Sequence, residues 1–253
     1  MTLDACAALV ARGDPDRFAA VMAAPPKLRA KLWPLYAFNL EVARAPWVTK
    51  EPVIAEMRLQ WWRDVVAEPQ PRAHEVAAPL HSLICDANLP VATLDRLITA
   101  RRWDIYSDPF ADRAAFDVYL EDTAGSLMWL AARALGAPAA AEPAVRAYGW
   151  ATGLANYLHA VPDLEARGRK PLVDGRIEAV SALAADGLRR IAAARQHGQL
   201  IGAGRPALLA GWQAETLLRQ VQSDPMAVAD GRMALSEFAK RGRLLWQSLT
   251  GRF

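Results

Sequence analysis

From Pro25 to Trp47, the side chains Leu28, Leu32, Leu35, Tyr36, Asn39 and Val42 return at intervals of three and four residues. That period places them on one face of an α-helix and is incompatible with a strand, whose faces alternate every second residue. Prolines bound the segment: Pro25-Pro26 can occupy a first turn, and Pro46 closes it. Asn39 is the one amide on an otherwise apolar face.

The same period recurs along the chain. Asp14-Pro15 reads as an N-cap and first-turn proline for a helix bearing Phe18, Val21 and Met22, and Ile54, Met57, Trp61, Trp62 and Val65 mark another. Further helices are predicted over His81–Asn88, Val91–Tyr106, Ala114–Leu135, Pro143–His159, Ile177–His197, Leu208–Val221 and Ser236–Leu249. No segment alternates apolar and polar residues with β-branched enrichment, so the fold class is all-α. A chain of 253 residues with 53% hydrophobic composition supports a substantial core, and one domain over residues 1–253 is expected.

Charge and cysteine usage narrow the partners. The net charge is +3, with arginines scattered among acids, which excludes nucleic acid and favours an anionic ligand or lipid surface. No apolar run is long enough to span a bilayer, and Asp4 stands where a secretory leader would carry cations. A cytoplasmic protein able to rest peripherally on the inner face of the membrane is expected. Cys6 and Cys85 have neither metal-ligand spacing nor disulfide density and read as small core residues.

Three windows carry the chemistry: PPKLRAKLWPLYAFNLEVARAPW (Pro25–Trp47), RLQWWRD (Arg58–Asp64) and GLANYLHAVPDLEARGR (Gly153–Arg169). With Asp104 and the small patch Ala124-Gly125-Ser126 in order between them, they resemble a squalene/phytoene synthase. The resemblance implies an isoprenoid-synthase helical bundle around a central cavity. It also implies two facing helices, each with aspartates four residues apart, holding Mg²⁺ that grips a prenyl diphosphate. Here the matching positions are Ala43 and Trp47 in the first window, and Ala160 and Leu164 in the second. A methyl group or an indole cannot coordinate magnesium, so no metal, no cofactor and no catalytic residue is expected.

What the resemblance carries over is a set of binding positions. Arg29, Asn156 and Arg169 match the diphosphate-binding mouth, with Arg167 beside them, and Tyr36, Asn39, Trp62 and Ser126 are expected deeper in the cavity. The arginines would bind an anionic head group directly; the competing expectation is that they pair with Glu41, Asp163 and Glu165 at the surface. His159 is expected to be structural in an apolar pocket rather than an acid or base.

The stretch LHAVP resembles a branch of the family, that of a mitochondrial complex I assembly factor, which implies a noncatalytic protein. The leading reading is therefore a binding protein for an isoprenoid or other anionic lipid, or an assistant to a membrane respiratory complex. Two alternatives stand beside it: a prenyltransferase condensing two prenyl diphosphates head to head, with Mg²⁺ on Glu41, Asp64 or Asp163, and a scaffold whose cavity is filled by Trp47 and its neighbours.

Three local features complete the reading. Gly125 and Ser126 in mid-helix predict close approach of another helix or a ligand. The glycine-rich segment Gln196–Pro206 lacks a preceding strand and a Lys-Ser/Thr ending, so it is expected to be a connector and not a phosphate loop. Leu235, Phe238, Leu245, Trp246 and Leu249, with Lys240, Arg241 and Arg243 between them, are expected to cover the core as the last helix, in preference to resting on a membrane.

Overall fold

Proline and glycine mark many of the helix ends, although Pro34 and Pro162 lie inside helices. The computed structural model describes residues 3–253, and among them there is no strand. Helices α1 (Leu3–Gly13), α2 (Pro15–Ala23), α3 (Pro26–Arg44), α4 (Pro52–Ala67), α5 (Ala77–Ala87) and α6 (Val91–Ala100) come first. They are followed by α7 (Arg113–Leu120), α8 (Ser126–Ala134), α9 (Glu142–Ala166), α10 (Ile177–Gln196), α11 (Ala214–Ser223), α12 (Met226–Ala229) and α13 (Glu237–Thr250). Asp14 caps α2 as expected, its carboxylate accepting from the Arg17 amide at 2.9 Å.

Helices α3 and α9 form the frame. The predicted face of α3 is buried from Leu32 to Val42, with Asn39 among the apolar side chains. Helix α9 runs on through Pro162 to Ala166, beyond the predicted end at His159, forgoing the hydrogen bond that a proline nitrogen cannot donate. Asp163 and Glu165 therefore sit on one continuous helix, about 200° apart around its axis, and cannot share a cation.

Between α7 and α8 the helix widens into a single π-turn over Glu121–Gly125. Close packing follows. A Cβ placed on Gly149 of α9 would lie 2.7 Å from the Met128 Cβ, 2.9 Å from the Ala124 carbonyl oxygen and 3.0 Å from the Gly125 Cα. The small patch on one helix thus meets glycines on the other, and Gly125 serves a helix crossing.

Several expectations are corrected. Helix α4 buries Ala55, Leu59, Trp62, Val65 and Val66, while Ile54 and Met57 face outward because the helix packs by the side bearing Leu59 and Trp62. Val91–Tyr106 is a helix only to Ala100, then tightens to a 3₁₀ turn over Arg101–Asp104. The glycine-rich segment is not an open connector but 3₁₀ turns over Gly198–Gly211, broken at Gly202, whose φ of 53° suits glycine. Cys6 is buried, which raises its thiol to about 11, whereas Cys85 is exposed. Helix α13 buries Gln247 and turns Phe238, Leu245, Trp246 and Leu249 outward, so its apolar stripe does not cover the core.

Among the described residues no helix is long and apolar enough to cross a membrane. Where α10, α11 and α13 meet, a hydrogen bond from Arg195, outweighing partial burial, and a second from Arg219 hold the Glu215 carboxyl at about 2. Because this folded value lies below the unfolded one of about 4.3, the contribution to stability is full above that pH and is lost as the pH falls through about 2. Glu215→Gln should accordingly lower the thermal midpoint at neutral pH, and the deficit should vanish in strong acid; circular dichroism melts across pH read this directly.

Candidate ligand cavity

The four positions at which the resemblance expects aspartates converge in space. Ala43 and Trp47 from the end of α3 and its following turn, and Ala160 and Leu164 from α9, line one cavity of about 280 Å³. Asn39 stands one turn before Ala43, and Asn156 one turn before Ala160. Leu120, Thr123, Ala124 and Leu127 supply a third wall, from α7, the π-turn and α8. The frame of two facing helices is kept, and its ligand positions present two methyl groups, an isobutyl group and an indole.

The cations at this cavity are not the ones that sequence reasoning singles out. Arg17 enters from α2 and Arg101 from the 3₁₀ turn after α6. Arg101 lies against a buried carboxylate: its Nη1 reaches Asp104 Oδ2 at 3.3 Å and donates to the Tyr119 hydroxyl at 2.9 Å, while that hydroxyl is 3.1 Å from Asp104 Oδ1. Asp104 is only 4% exposed. Burial pushes its carboxyl upward, against the opposing pull of Arg101 and the hydrogen bond from Tyr119. Burial likewise raises the Tyr119 phenol.

Three polar atoms of residues that line the cavity are buried without a hydrogen-bond partner: Asn39 Oδ1, Arg17 Nε and Arg101 Nε. Asn39 is 6% exposed, so its carbonyl has been taken from water with no protein donor in exchange. Such a vacancy in hydrogen bonding costs about 1–3 kcal/mol per group.

Other expected residues are placed differently. Arg29 does not line the cavity; its guanidinium donates to the carbonyls of Ala24 at 3.0 Å and Met22 at 2.6 Å, closing the end of α2. Arg169 is buried and spends its donors on the carbonyls of Trp103, Asp104 and Tyr106, which pins the 3₁₀ turn carrying Arg101. Arg167 and Arg169 both stand 4.9 Å from the Trp47 ring, fixing that indole at the rim. Neither these two nor Arg29 forms an ion pair with Glu41, Asp163 or Glu165 among the described residues.

Tyr36 is buried beneath Arg17, whose guanidinium lies 5.2 Å from its ring, and burial raises its phenol to about 12. Trp62 packs edge-on against Phe38, Trp61 and His74, outside the cavity. Ser126 is fully buried at the α8 end of the π-turn, accepting from Arg146 at 3.1 Å. His159 is exposed on α9 and lines no apolar pocket.

The donor set does not fit magnesium. Among the described residues Asp104 is the one carboxylate lining the cavity, and it is engaged by Arg101 and Tyr119. Asp64 accepts from Gln60 at 2.8 Å, and Glu41 lines a separate small pocket beside Trp61. Among the described residues no group of three or more His, Cys, Asp or Glu side chains is arranged to hold a metal ion. What the arrangement offers is two guanidinium groups, Arg17 paired with Asp14 at 3.1 Å and Arg101 with Asp104 at 3.3 Å, inside apolar walls.

Comparison with known proteins agrees with this frame. The chain is 27% identical to mouse NADH dehydrogenase (ubiquinone) complex I, assembly factor 6, over 161 residues, covering 62% of this chain and 48% of the relative. A Drosophila melanogaster homolog of that factor is 30% identical over 182 residues, covering 66% of this chain and 53% of the relative. The chain thus spans about half the length of these curated relatives. In structure it is similar to a dehydrosqualene synthase solved with a ligand (TM-score 0.82, 17% identity, 98% of this chain and 95% of that one). It is also similar to a squalene synthase from Alicyclobacillus acidocaldarius (TM-score 0.71, 17% identity, 92% of this chain and 95% of that one). At such identity these two speak for the isoprenoid-synthase fold alone. A family model described as squalene/phytoene synthase matches residues 10–173, the stretch holding both facing helices and the turn that carries Asp104, and the chain belongs to the squalene/phytoene synthase family.

Proposed function

We propose that this protein binds one isoprenoid or related lipid with an anionic head group, without magnesium, and that it assists assembly of a membrane respiratory complex instead of transferring prenyl groups. The observation that carries this reading is the pairing of apolar side chains at Ala43, Trp47, Ala160 and Leu164 with the guanidinium groups of Arg17 and Arg101 in the same cavity. Guanidinium donors bind phosphate or carboxylate oxygens directly. The respiratory role rests on likeness to the assembly factors named above.

Size supports a single ligand. A cavity of about 280 Å³ lies at the small end of ligand pockets, which run from about 300 to 1,000 Å³. It accepts a head group and a short apolar stretch, not two prenyl chains side by side. A pure scaffold filled by its own tryptophan fits less well, since Trp47 stands at the rim and leaves the space beneath it open.

Calorimetric titration with farnesyl and geranylgeranyl diphosphate, in Mg²⁺ and then in EDTA, tests the proposal when pyrophosphate release is followed in the same samples. Binding should survive EDTA without turnover, and Arg17→Gln should weaken it about tenfold or more. Magnesium-dependent pyrophosphate release would sink the noncatalytic reading. Absence of binding in both conditions would leave assembly through protein contacts alone.

A further inference from the structure

A second set of cations lies at the end of the bundle where α13 docks, apart from the cavity just described. A cleft of about 860 Å³ is lined by Arg195, Arg205, Arg243 and Arg252 against a single acidic side chain, Glu215, and Arg195 also donates to the main-chain oxygen of Phe253. Arg195 and Arg243 reach the Glu215 carboxylate at 2.7 and 3.5 Å. Arg205 and Arg252 are exposed, and neither has an acidic partner among the described residues. Gln247, 6% exposed, lines the same cleft and donates to the Trp212 carbonyl at 3.4 Å, which ties α13 to the bundle.

Beside the cleft runs an apolar stripe. Phe238, Leu245 and Leu249 fall at i, i+7 and i+11, within about 20° of one line along α13. They are 89%, 60% and 76% exposed. Trp246, 59% exposed, stands between the stripe and the cleft and lines the latter. Arg241, exposed and without an acidic partner, flanks the opposite side. Apolar side chains facing water next to unneutralised guanidinium groups match the cross-section of a bilayer interface with anionic head groups.

We propose that α13 and the arginine cleft form a docking surface for an anionic phospholipid bilayer, with the stripe entering the acyl boundary and Arg205 and Arg252 engaging head-group phosphates. Charge decides the occupant, because a second copy would bring an equally cationic cleft to the interface. The surface is independent of the Ala43–Leu164 cavity, so failure of either reading leaves the other standing.

Co-sedimentation of the full chain with phosphatidylcholine vesicles, and with vesicles of equal parts phosphatidylcholine and phosphatidylglycerol, supplies the test. The anionic vesicles should be bound at least tenfold more tightly, with the preference shrinking in high salt. Arg205→Glu with Arg252→Glu should erase the preference, at about fivefold or more per arginine. Phe238→Ser with Leu249→Ser should reduce binding to the anionic vesicles at least tenfold. All four positions are exposed, and unchanged thermal midpoints would show that the variants fold. Equal binding to both vesicles, binding to neither, or a lipid-free dimer abolished by Phe238→Ser with Leu249→Ser would each overturn the proposal.

Discussion

Replacing Asp104 with alanine should cost about 1–3 kcal/mol of stability, because it leaves the Arg101 guanidinium, its side chain 19% exposed, without its acceptor. The Tyr119 hydroxyl loses its acceptor in the same step. Asp104→Asn should cost less, since an amide oxygen still accepts from Tyr119 and Arg101. Tyr119→Phe removes one hydroxyl from the network and should cost about 1 kcal/mol.

The pH dependence separates charge loss from simple loss of packing. Burial raises the folded Asp104 carboxyl above its unfolded value, so the folded state holds the proton more tightly. That contribution is full below the unfolded value of about 3.9 and is lost as the pH rises through the raised folded value. Asp104→Asn, which cannot ionise, should therefore narrow its deficit against the parent protein as the pH rises. A denaturant melt series over pH 4–8 measures it, and a deficit independent of pH would show that the carboxylate's ionisation plays no part.

The helical frame was legible because its signals are local. Spacing of three and four residues, proline boundaries and the order of the three windows lie within single helices, and they specify α3, α9 and the small patch that crosses them. The convergence of Ala43, Trp47, Ala160 and Leu164 follows from the same helices facing each other. The cations were not legible. Arg17 follows an N-cap aspartate by three residues and looks like part of a helix start; Arg101 precedes Asp104 by three and looks like a helix-surface pair. Only the turn at Arg101–Asp104, held by Arg169 from beyond α9, brings Arg101 to the cavity.

Arginines picked by motif position had the opposite fate. Arg29 and Arg169 are side chains long enough to reach backbone carbonyls left open at helix ends, and they satisfy those instead of an external anion. The outward stripe of α13 departs from the periodicity-based expectation for a related reason. Periodicity identifies an apolar face, yet it cannot say which way the face turns, and here Gln247 and Leu244 pack inward while Phe238 does not.

Gly149→Ala and Gly242→Ala should have effects of opposite sign. Both lie within helices, where alanine is favoured over glycine by about 1 kcal/mol. At Gly242 an added methyl meets nothing within 4 Å, so the propensity gain should appear in full. At Gly149 the methyl would lie 2.9 Å from the Ala124 carbonyl and 3.0 Å from the Gly125 Cα, and backbone cannot rotate aside as a side chain can. The helices must part, at a net cost of about 1–3 kcal/mol, a fall in thermal midpoint of about 2–4 °C for each kcal/mol. Parting moves the helix that carries Asn156, Tyr157 and Ala160 away from the wall formed by Thr123 and Ala124, so ligand affinity should fall with stability. Gly242→Ala should leave affinity unchanged. A Gly149→Ala protein with unaltered midpoint and affinity would mean that the crossing does not set the width of the cavity.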